Sequence, residues 1–302
     1  MKNLYFQRTL LRREEDVWLV LRCLLAALVS VHGWYRFFDH GVLPFARGMD
    51  QEIFLGYYLV FILQGMEMFG SILLARGRFV TVMSLIFAVI YSCSIYFYHS
   101  HFGWFQNGGK QDGAEYAVAL IVCFLALALR YFPMSWTSIK AHYTSQFPAI
   151  HGASFDWRFQ WPWAALRWML LVLIGIHVIY RIVQGSVSDM VAVMPGFVPN
   201  ATVLAILATL VQALALLAIA LNRGRTRAYF ALAILYCLAI VFHHAWQGWK
   251  VSGTRQDGTE YVFLLMVVLV CCAWVHRQGI ALTSDNIEDA EQASTKLNSS
   301  TA

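Results

Sequence analysis

Gln111-Asp112-Gly113-Ala114-Glu115-Tyr116 returns as Gln256-Asp257-Gly258-Thr259-Glu260-Tyr261. The displacement of 145 residues (111 to 256) holds upstream, where Tyr91, His99, Gly103 and Trp104 become Tyr236, His244, Gly248 and Trp249. It also relates Arg22, His32, Tyr35 and Arg36 to Arg167, His177, Tyr180 and Arg181. Chance does not keep so many letters in one register, so the chain reads as one unit written twice. Between these blocks Gln64 is matched to Gln212 and Arg76-Gly77-Arg78 to Arg223-Gly224-Arg225, which requires a small insertion.

The residues around these motifs set the solvent. Of 302 residues 59% are apolar and only 13% charged, with a mean hydropathy of +0.58. Soluble domains carry about a quarter charged residues, so the composition implies lipid. The net charge of +5 sits in short clusters between apolar runs and not on one basic face, which argues against a nucleic-acid partner. Crossing a hydrocarbon core about 30 Å thick takes roughly 20 apolar residues as helix. Eight runs approach that length: 17–38, 53–75, 79–98, 114–132, 162–183, 201–221, 226–246 and 260–276. The expected fold is therefore an all-α integral membrane protein of eight transmembrane helices, arranged as two tandem, parallel-oriented four-helix bundles. Fourteen lysines and arginines fall on one side of these spans and six on the other, so both termini are expected in the cytoplasm. The expected divisions are a cytoplasmic N-terminal segment 1–16, a first unit 17–135, a cytoplasmic linker 136–161, a second unit 162–277 and a disordered polar tail 278–302. The first apolar run lacks a small-residue cleavage site and reads as a helix, not a removable signal. The six cysteines form no C-x-x-C pair and read as buried packing.

Polar groups at membrane depth carry the functional expectations. Glu67 lies within its span, where an unpaired charge is costly, and Arg22 is its expected partner, either as a structural ion pair or as a proton-handling one. Toward the outer side, His32, His99 and Glu115 fall in one layer, repeated as His177, His244 and Glu260. These six are the candidate pocket residues, because histidine beside a carboxylate can move protons, donate to a quinone carbonyl or ligate a metal. Each histidine taken singly reads first as an interfacial residue bonded to a helix carbonyl, and it is the repetition that points to a shared pocket. No tight i, i+4 pair marks a metal site, and none is assigned. Asp112 and Asp257 read as helix caps, and the aromatics around Trp34, Trp104 and Trp249 as an interfacial belt.

Leu21-Arg22 opening the first helix, Arg36 closing it, Gly65-Met66-Glu67 in the second and the glycine-containing turn before the fourth resemble the DoxX-like family of four-helix membrane proteins. That family includes the membrane subunit of thiosulfate:quinone oxidoreductase. The resemblance spans nearly the whole chain as two units, with Arg36 where the family commonly has lysine and no second copy of Glu67. It implies a bacterial or archaeal inner-membrane location, a quinone as cofactor or substrate, and a redox partner subunit, since the chain has no haem, nucleotide or iron–sulfur motif of its own. The leading expectation is a quinone-interacting membrane subunit of an oxidoreductase system. The alternatives are binding or transport of a transition metal or small molecule, and a non-catalytic membrane scaffold.

Overall fold

The computed structural model describes residues 2–39, 41–105, 112–132, 157–192, 194, 196–249 and 258–277. Among them the regular structure is helical and contains no strand. Helix α1 is Lys2–Phe38, α2 Val42–Glu52, α3 Gly56–Ala75, α4 Val80–Phe97 and α5 Glu115–Arg130. Then come α6 Trp157–Gln184, α7 Val187–Ala192, α8 Ala201–Ala220, α9 Arg225–His244 and α10 Thr259–Arg277. Seven of these are long and apolar enough to cross a membrane: α1 from Glu14, α3, α4, α6 from Gln160, α8, α9 and α10. The chain is a multi-pass membrane protein, as its composition demands, because helices satisfy their own backbone groups where no water can. Helix α5, the expected fourth span, has 16 residues, about 24 Å of rise.

Helix α1 runs unbroken from Lys2, and its apolar span begins at Glu14. The linker 136–161 lies outside the described residues up to 156, and its last five residues belong to α6. The tail 278–302 lies outside the described residues.

Packing follows the two halves. Helix α1 packs on α3 and on α10, α5 on α4 and on α6, and α9 on α8 and α10. The fourth helix of each half thus leans on the first helix of the other, and one continuous apolar core contains Leu25, Phe124, Leu170 and Leu269. On the outside, Val203, Leu207, Leu210, Leu214 and Leu217 of α8 form a stripe at i, i+4, i+7, each half exposed or more. An apolar face of that extent suits lipid.

Backbone turns repeat with the sequence. Nine described residues have left-handed φ, and eight of them form pairs 145 apart: Leu55 and Asn200, Gly77 and Asn222, Phe79 and Gly224, Gly103 and Gly248. The match of Arg76-Gly77-Arg78 with Arg223-Gly224-Arg225 is therefore one of letters and not of place, and no insertion is needed. Gly77 corresponds to Asn222, another residue that tolerates this conformation. After Gly103, the amides of Ala114 and Glu115 donate to the carbonyls of Gly103 and Trp104 at 3.1 Å each. After Gly248, Thr259 and Glu260 do the same to Gly248 and Trp249, at 3.0 and 3.1 Å.

Candidate functional site

The turns just described set Glu115 and Glu260 in the first turns of α5 and α10, pointed into the protein. Both are essentially inaccessible, at 0% and 1% exposure. A carboxylate at a helix N-terminus gains from the helix dipole, but at this depth it also needs a direct partner. Each finds one in the opposite half. His32 Nε2 of α1 is 2.8 Å from Glu260 Oε1, and His177 Nε2 of α6 is 2.7 Å from Glu115 Oε2. The geometry differs slightly: His177 is aligned for a hydrogen bond, whereas His32 approaches its carboxylate off that line.

The expected grouping of His32 and His99 with Glu115, and of His177 and His244 with Glu260, is thus rearranged. The same residue types meet, but each histidine takes its carboxylate from the other half, because α1 packs on α10 and α5 on α6. His99 turns back within its own half, its Nδ1 2.6 Å from the backbone oxygen of Asp112. A carbonyl only accepts, so Nδ1 carries the proton. His99 is buried, and burial lowers its pKa below the ordinary histidine value, with the Asp112 carbonyl and carboxylate partly opposing and nearby His32 adding to the drop. His244 is buried at the end of a π turn, Ile240–His244, its ring 4.6 Å from that of His243.

Tyrosines complete the layer. The rings of Tyr116 and Tyr261, each next in sequence to one of the paired glutamates, meet edge to face at 5.8 Å. Tyr116 lies 6.1 Å from His32 ring to ring and faces Glu260 without a well-formed hydrogen bond. Tyr91 lies within electrostatic range of Glu67, Glu260 and Arg36, and Tyr236 within that of Arg181 and Glu115. The hydroxyls of Tyr91 and Tyr261 are buried and have no hydrogen-bond partner among the described residues, and that of Tyr116 faces only the Glu260 carboxylate. Such hydroxyls beside two buried His–Glu contacts are an unusual concentration, since buried polar atoms are nearly always bonded.

Glu67 pairs with Arg36, not with the expected Arg22. Arg36 Nη1 is 3.0 Å from Glu67 Oε2 and 3.4 Å from Gln64 Oε1. Depth explains it: a Cβ on Gly33 would come within 3.0 Å of Glu67 Cβ, so Glu67 is level with Gly33, eleven residues or about 16 Å above Arg22. Arg22 instead reaches the Gly77 turn and the ring of Tyr131. In the second half Arg181 donates to Gln212 at 2.5 Å. Gln212 is 145 positions beyond Glu67, so the second copy holds the neutral isostere of the carboxylate.

One buried charge network was not foreseen. Glu14 Oε1 accepts from the indole nitrogens of Trp18 and Trp163, each at 3.1 Å, and lies 3.7 Å from Arg130 Nε. Arg130 also pairs with Glu15, which accepts from the Tyr131 hydroxyl at 3.1 Å. The signal was there, since Trp18 and Trp163 share the 145 offset. Asp112, expected as a cap, instead accepts from the Tyr98 hydroxyl at 2.9 Å, because the Gly103 and Trp104 carbonyls already receive the first amides of α5. Among the described residues no three His, Cys, Asp or Glu side chains are arranged to hold a metal ion. No family model, curated protein or solved structure matches this chain.

Proposed function

We propose that the protein is a DoxX-like, quinone-interacting membrane subunit of an oxidoreductase system. On this reading two parallel four-helix units, eight spans in all, lie in a bacterial or archaeal inner membrane with both termini cytoplasmic. The recurrence of left-handed residues and turn hydrogen bonds at one offset supports the duplicated form.

The observation that carries the functional part is the crossed pair of buried His–Glu contacts with unmet tyrosine hydroxyls around them. A quinone takes up two electrons and two protons on becoming a quinol. The fit lies in the donor set: tyrosine hydroxyls donate to carbonyl oxygens, and a histidine beside a carboxylate can give or take a proton near neutral pH. His32 with Glu260 and His177 with Glu115 are the proton-handling groups, and Tyr91, Tyr116 and Tyr261 orient the ring. Electrons enter from a partner subunit.

The test is mass spectrometry of gently purified protein for bound quinone, on wild type and on the E115Q, E260Q variant, with thermal unfolding of both. Quinone present in the wild type and absent from a folded variant supports the site. A wild type that carries none, and neither reduces nor oxidises a quinone with soluble redox partners, overturns it. A variant that loses stability yet keeps its quinone assigns the pairs to holding the halves together.

A further inference from the structure

The two halves differ at their inner ends, where the repeat places equivalent residues in unlike surroundings. In the first half two of the cations have partners. Arg130 is held by Glu14 and Glu15, and Arg22 lies over Tyr131. At the equivalent positions 145 residues on, Glu14 and Glu15 become Phe159 and Gln160, while Val80, Val82 and Tyr131 become Arg225, Arg227 and His276. Two carboxylates are lost and two arginines and a histidine gained at one end of one bundle, while Arg130 gives way to Val275. Arg167, the counterpart of Arg22, remains and lies within electrostatic range of His276, as does Arg225.

Arg225, Arg227 and His276 border a space. A cavity of about 390 Å³ is lined by Gly224, Arg225, Thr226, Arg227 and His276. Behind it the His276 ring stacks on Tyr229, parallel within 3° and 5.5 Å apart. Tyr229 is fully buried, and its hydroxyl has no hydrogen-bond partner among the described residues, nor has the buried Nε of Arg167. Arg167 Nη1 donates to the neutral Asn222, and neither Arg225 nor Arg227 forms an ion pair with a described carboxylate. The cavity also opens at the start of α9, where free backbone amides favour an anion.

We propose that this inner-end cavity of the second half binds a phosphate-bearing anion, with Arg225, Arg227 and His276 as its principal contacts and Arg167 completing the positive field. Phosphate chemistry fits because guanidinium groups donate in a fork to its oxygens, and basic pockets between transmembrane helices on this side suit anionic headgroups. The first half has Val80, Val82 and Tyr131 at the corresponding positions and so lacks these donors. The proposal is independent of the quinone reading, since the two sites lie at opposite ends of the bundle.

The full chain in detergent is titrated with phosphatidylglycerol, phosphatidylcholine or inorganic phosphate, and binding is read by native mass spectrometry and by the shift in unfolding temperature. Wild type is compared with R225Q, R227Q and with R76Q, which removes an inner-end cation of the first half. Phosphatidylglycerol is expected to bind wild type and R76Q alike, and the double variant more weakly by about fivefold for each cation removed. Phosphatidylcholine is expected to have little effect. A response to millimolar inorganic phosphate that the double variant lacks supports the site with a soluble anion as its occupant. Equal responses in wild type and double variant, equal potency of phosphatidylcholine, or no response to any probe overturns the proposal. H276Q, read in the same assay, replaces the double variant if that does not fold.

Discussion

At the residue scale the most informative contrast is between Glu67 and Gln212, one position in two copies. Glu67 is buried and Arg36 is its counter-charge, whereas Arg181 makes do with an amide. Glu67→Gln is therefore expected to be tolerated, changing stability by no more than about 1 kcal/mol, since it rewrites the first half as the second. Arg36→Ala strands a buried carboxylate and is expected to cost about 3–5 kcal/mol, read by chemical or thermal unfolding in detergent. Equal costs would show that the charge on Glu67 is not balanced by Arg36. His99 gives a pH prediction. Its folded-state pKa is depressed, so the stability it contributes is present above the ordinary histidine value near 6.5 and is lost as pH falls below it. Wild type should lose unfolding temperature between pH 7.5 and 5.5 by more than His99→Gln does. The residue types of the His–Glu layer were legible in the sequence because the repeat preserved them, but their partners were not. Offset alone cannot say whether a histidine meets the glutamate of its own copy or of the other. That depends on which helices pack, a tertiary fact.

At the element scale the long spans were readable because lipid leaves the backbone no alternative to helix. The short helices were not. Helix α2 buries only Val42, Ala46 and Met49, a stripe of i, i+4, i+7 too brief to stand out beside its polar neighbours. The turn at Gly77 is misaligned by letters alone, because the shared Arg-Gly-Arg draws the match away from the register that backbone conformation shows. Helix starts provide the test of that register. Leu55 and Asn200 precede α3 and α8 in the same left-handed conformation, with φ of 61° and 51°. Asparagine tolerates this region better than leucine, and Leu55 is half exposed, so Leu55→Asn is expected to stabilise by up to about 1 kcal/mol. Asn200→Leu should destabilise by a similar amount, and opposite signs measured by thermal unfolding would argue against the shared register.

For the whole molecule, the crossed contacts make each half the completion of the other. His32 with Glu260, His177 with Glu115, and Trp163 with Glu14 all bridge the halves. Co-expressed fragments cut between α5 and α6, near residue 145, are expected to co-purify from membranes. Glu115→Ala with Glu260→Ala should lower the recovered complex severalfold, whereas unlinked fragments that never associate would mean that the covalent connection, not the contacts, keeps the halves together. The reciprocity has a further consequence. A contact set in which i of one copy meets j of the other, and j meets i, is that of a two-fold symmetric homodimer. A protein with a single such unit could satisfy its buried histidine and glutamate only by finding a second molecule in the plane of the membrane. With both repeats in one polypeptide that encounter is independent of abundance, and the two repeats need not be identical. Glu67 on one side and the arginines at 225 and 227 on the other are the kind of difference that a symmetric pair, bound to change both its sites at once, can never acquire.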